Sequence, residues 1–125
     1  MLRFERRQIA ANVTEGVMPY VQAFKVGYGA LPTGYWEDDY VLGFVPALAG
    51  LFAKAITRGQ ISDSDQKEVV QDCLESVSRG FGAPIMTRVQ ALMLTAPADF
   101  VAGAHAAGKV LAFSMGQCPP DDADL

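Results

Sequence analysis

Residues 27–53 read GYGALPTGYWEDDYVLGFVPALAGLFA, and the second half of this stretch decides the fold. From Tyr40 to Ala53 the chain carries no charge. Leu42, Val45, Leu48, Ala49 and Phe52 fall on one stripe of an α-helix. Val41, Phe44, Leu51 and Ile56 fill much of the remaining circumference. A helix apolar nearly all round belongs at the centre of a bundle or in a subunit interface. A membrane span needs about 20 apolar residues. This run is shorter and contains Pro46, so a buried helix is expected and a membrane partner is not.

The first half of the stretch is a loop of about ten residues punctuated by Gly27, Gly29, Pro32 and Gly34. Tyr28, Tyr35 and Trp36 anchor it by covering apolar surface while keeping polar tips wet. Asp38 or Asp39 supplies the N-cap of the helix that follows. That helix is expected to run to Thr57 or Arg58 and to stop at Gly59.

On the N-terminal side, Ile9, Val13, Val17, Tyr20, Val21 and Phe24 share one helical face over residues 4–25. Pro19 removes a backbone donor and clashes with the preceding turn. It predicts a kink or two shorter helices. On the C-terminal side, Ser62-Asp63-Ser64-Asp65 with Gln66 and Glu68 is a helix start, with Asp63 and Gln66 as one capping-box register. Val69, Val70, Cys73, Leu74 and Val77 form the buried stripe of that helix, which ends before Gly80. Pro84 fits the first turn of the next helix, along which Ile85, Val89, Leu92, Met93 and Ala96 align. The last helix spans about 97–116, with a stripe of Phe100, Ala104, Gly108, Leu111 and Met115. Its many Ala and Gly residues allow close approach of another helix. Each interior Gly costs about 1 kcal/mol of helix propensity, which close packing offsets.

These segments predict an all-α fold: a compact bundle of five to six helices in one domain over 1–117, with helices 40–58 and 97–116 central or at an interface. Residues 118–125 are expected to form a flexible acidic tail. The chain has 125 residues, of which 50% are hydrophobic and 19% charged. That excludes general disorder. The formal net charge of −4 argues against nucleic-acid binding, because phosphates demand clustered cations. The cluster Arg3, Arg6 and Arg7 reads as a solvated helix face. The chain opens MLRFERRQ, without an apolar signal segment, and a soluble, cytoplasmic, reduced setting is the expectation for Cys73 and Cys118.

Candidate chemistry is sparse. Glu37, Asp38 and Asp39 offer carboxylates for a cation or for acid–base work. Adjacent helical residues point about 100 degrees apart, so the three cannot converge on one ion and N-capping is the simpler role. His105, the single histidine, sits in AGAHAAG without the partners of a di-iron or zinc motif. Cys73 lies on an apolar stripe and reads as a structural cysteine. No Gly-x-Ser-x-Gly elbow, phosphate loop or dinucleotide fingerprint occurs. No metal and no cofactor are implied.

Three functions stay open on these residues. The first is a non-catalytic interaction or assembly protein that forms a homodimer, or binds another protein, through apolar helix faces. The second is a small-molecule-binding domain with a pocket between the 28–40 loop and the His105 helix, lined by Tyr28, Tyr35, Trp36, Glu37, Asp39 and His105. The third is a metal- or general-base-dependent enzyme using Glu37, Asp38, Asp39 and His105.

Overall fold

A computed structural model describes residues 6–27 and 36–114. These residues are all-helical. They form α1 (Arg6–Gly27), α2 (Asp39–Ile56), α3 (Asp63–Ser78), α4 (Gly82–Thr95) and α5 (Ala98–Ser114), with no strand among them. The expected five to six helices are five among the described residues. The loop positions Tyr28 and Tyr35, residue Met115 and the 118–125 tail with Cys118 lie outside them.

α2 is the hub. It packs on α1, α3, α4 and, most extensively, α5. Asp38 starts it: one carboxylate oxygen accepts from the backbone N–H groups of Tyr40 at 2.8 Å and Val41 at 3.3 Å. This satisfies donors that the first turn leaves free and sets negative charge at the positive end of the helix. Ten of its eighteen residues are buried. Among the described residues α2 is also the one helix long and apolar enough to cross a membrane. Its burial among four other helices accounts for that composition.

Of the two alternatives at Pro19, a kink or two shorter helices, α1 does not take the second. It is one continuous helix with Pro19 inside it. The carbonyl left without a donor by Pro19 belongs to Glu15, and both residues are exposed, so water satisfies it and the helix need not break. Ile9, Val13, Val17 and Val21 are buried against α2 and α3. Arg6 ties α1 to α3 through Glu68 at 2.9 Å.

α3 is capped by Ser62, whose hydroxyl accepts from the Asp65 N–H at 3.1 Å. The cap therefore sits one residue before Asp63. Arg79 at φ 61 and Gly80 at φ 106 reverse the chain. Gly82 then opens α4 in direct contact with α3: a Cβ there would fall 2.7 Å from the Glu75 backbone nitrogen. The Gly82 N–H donates to the Glu75 carboxylate at 2.9 Å.

The crossing of α2 and α5 is closer still. A Cβ on Gly43 would overlap the Phe100 carbonyl oxygen and lie 3.1 Å from the Ala104 nitrogen. A Cβ on Gly103 would overlap the Tyr40 carbonyl oxygen and lie 2.9 Å from the Phe44 nitrogen. Each glycine thus seats its helix against the other's backbone. This rotates α5 from the expected stripe. Gly103 and Ala107 are buried, while Gly108 is exposed with open space beside it. The smallest residues set the line of closest approach, and the larger Phe100 and Leu111 are only partly covered.

Candidate functional site

Of the residues singled out by sequence, Trp36, Glu37, Asp38, Asp39 and His105 are among the described ones. Trp36 is buried in the core. Glu37 is exposed at the turn before α2. Asp38 is occupied as the N-cap. Asp39 pairs with Arg88 of α4 at 3.5 Å, at a half-exposed position. His105 is exposed on α5. Among the described residues, no three His, Cys, Asp or Glu side chains gather as a metal-binding group.

Cys73 is fully buried, as its stripe implies. Burial pushes its thiol up to about 11, against a smaller opposing effect of a hydrogen bond with Thr14. A thiol held protonated at neutral pH is a weak nucleophile.

A different feature stands out. Alongside α2 runs an open groove of about 860 Å³. Its floor is α2 itself, through Pro46, Ala47, Gly50 and Leu51. One wall is α4, through Met86, Val89, Met93 and Leu94, and Phe100 and Ala104 of α5 form the other. The size lies within the range of about 300–1,000 Å³ common for ligand sites. None of Trp36, Glu37, Asp39 or His105 lines it.

The groove exists because the floor residues are small and α4 stands off from them. α4 is anchored at its start by the Gly82–Glu75 contact, and Ile85 and Val89 are buried. Farther along, Met93 is 64% exposed and Leu94 89% exposed. At one end of the groove the lining turns polar, with Lys54 from α2 and Asp63, Gln66 and Lys67 from α3. The Gln66 side-chain amide donates to the Gly50 carbonyl at 2.9 Å and closes the joint between the two helices.

Met93 aligns in sequence with Ile85, Val89 and Leu92, yet it is 64% exposed, and that alignment conceals the groove. A signal was present nonetheless. Leu92, Met93 and Leu94 are consecutive, and three successive helical residues spread over more than half the circumference. They cannot all face one core.

Comparison with family models, with curated proteins and with solved structures finds no match to this chain.

Proposed function

We propose that this chain is a non-catalytic binding protein whose working surface is the groove between α2, α4 and α5. The observation that carries the reading is the groove with its uncovered rim: Met93 and Leu94 stand in solvent beside an apolar channel of about 860 Å³. Exposed large apolar side chains grouped at a concave surface mark interaction sites. Methionine suits such a surface because its flexible thioether adapts to the shape of the occupant.

The catalytic alternative has less behind it. The acids at 37–39 serve as a turn residue, a helix cap and an ion-pair partner, and the one histidine is exposed. Self-association is the second reading, favoured by the exposure of Leu94 itself. Two copies that met at this rim would cover each other's groove.

A neutral solvatochromic dye such as Nile red tests the proposal. The native protein should bind it, and the double substitution Met93→Ser and Leu94→Ser should abolish binding while changing stability by no more than about 0.5 kcal/mol per site. Unaltered dye binding in that variant would remove the groove as the working surface. Sedimentation over a wide concentration range separates the second reading, which requires a dimer that the same substitutions dissociate.

A further inference from the structure

We infer that the groove takes a linear acyl chain ending in a carboxylate, with the chain along α2 and the head between Lys54 and Lys67. The inference rests on the groove being the working surface and goes on to name its occupant. Three observations lead to it.

The first is shape. From Leu42 to Lys54 the floor covers twelve helical steps, about 18 Å at about 1.5 Å per residue. An extended chain advances about 1.2 Å per bond, so a hydrocarbon of roughly 15 bonds spans the groove. The second is the distribution of polarity. The α2 floor before Lys54 and the α5 wall are apolar, Gln90 is the one polar side chain on the α4 wall, and the charged side chains come from the last turn of α2 and the start of α3, which is the layout that a long tail with one polar head requires. The third is charge. The chain as a whole is acidic, at −4, yet this end carries two lysines against one acid, Asp63. Arg6 pairs with Asp65 and Glu68, and Arg88 with Asp39. Among the described residues, neither lysine is engaged in an ion pair. Two unpaired ammonium groups on flexible stems can close on a carboxylate from both sides.

A second copy of this chain fits less well. The apolar stripes of α1 and α3 are spent on the core: Val13, Val17 and Val21 in one, Val69, Cys73 and Leu74 in the other, are fully covered. Neither of these two helices keeps a free apolar stripe to lay in a neighbour's groove.

Displacement of bound Nile red by tetradecanoate and by tetradecanol tests the assignment on the full chain. The two differ in the head alone. The carboxylate should compete about tenfold more strongly. Lys54→Gln and Lys67→Gln should each reduce that preference by up to about fivefold, the upper range of an exposed ion pair. The double variant should lose it. Both lysines are exposed, and circular dichroism of the variants confirms that the fold is kept. Equal displacement by acid and alcohol would overturn the inference while leaving the groove as a binding surface, as would a preference that survives removal of both lysines. Absence of dye binding to the native protein would instead overturn the underlying reading. Two further results also count against the assignment: a dimer whose formation expels the dye, and binding to anionic phospholipid vesicles with tetradecanoate inert.

Discussion

α2 meets α5 and α4 in opposite ways, although the residues it presents to both are small. Toward α5, Gly43 meets Gly103 across a crossing where backbone touches backbone. Toward α4, Pro46 and Ala47 line a channel that nothing in the described chain fills. A small side chain therefore has no fixed meaning. It allows intimate packing if the neighbour can come in, and it makes a hollow if the neighbour is held away. α5 comes in because it has its own glycine at the meeting point. α4 is held off because its start is fastened to α3 at Gly82, and its far end carries Met93 and Leu94, which the core does not cover.

The largest effect should come from the closed side. Gly43→Ala or Gly103→Ala inserts a Cβ into a carbonyl oxygen of the facing helix. Overpacking costs about 1–3 kcal/mol and occasionally more. A backbone obstacle cannot rotate away, so about 3 kcal/mol or more is expected by urea denaturation. Gly108→Ala is the control on the same helix. It meets nothing within 4 Å and should be neutral or stabilising by up to about 1 kcal/mol. Equal costs for Gly103 and Gly108 would break the contrast between the two faces of α5.

Next is the core beneath α1 and α3. The Cys73 thiol titrates near 9 when unfolded and near 11 when folded. The folded value is the higher one. The stability this adds is therefore fully present below about pH 9 and lost as pH rises from about 9 to about 11. The loss is about 3 kcal/mol, two pH units at about 1.4 kcal/mol each. Denaturation series at both ends of this window should show it in the native protein, after subtraction of the same series for Cys73→Ala. An identical pH slope in the two proteins would refute it.

A smaller effect of opposite sign is expected where α4 turns into α5. Ala96 adopts φ 47, a left-handed backbone that only glycine enters without strain. Ala96→Gly should raise the melting free energy by about 1 kcal/mol. The smallest effect belongs to the ion pair that joins the open side. Asp39 and Arg88 are 33% and 51% exposed. Arg88→Ala should cost at most about 1 kcal/mol, less at high salt. A much larger loss would mean that this pair, and not the α3–α4 joint, positions the groove wall.

The helices were legible because each carries its own start, stop and stripe. Asp38, Ser62, Pro84 and Gly80 act locally, and Val13, Leu42 and Val69 are covered as their spacing requires. Pro19 left a kink and a break both open, because whether a freed carbonyl ends a helix depends on access to water, and water access is a property of the folded surface. The register of α5 was hidden for a related reason. Phe100 and Leu111 looked like the anchors, yet the path of closest approach follows Gly103 and Ala107. The groove was the least legible feature. It is a distance between α2 and α4, and no single residue encodes it. The aromatic and acidic cluster at 35–39 drew attention as a site, while the part of it that is described, from Trp36 to Asp39, serves as core, turn, cap and ion pair.

The Gly43–Gly103 crossing also bears on the order in which the chain assembles. The two glycines lie on helices separated by all of α3 and α4, so their contact closes a long loop, whose entropy must be lost before the contact returns anything. The α3–α4 hairpin involves only near neighbours in sequence and can form earlier. If the crossing forms after the rate-limiting barrier, Gly43→Ala will accelerate unfolding and leave the refolding rate nearly unchanged. This crossing would then act as a latch, setting how long the fold lasts more than how quickly it is reached.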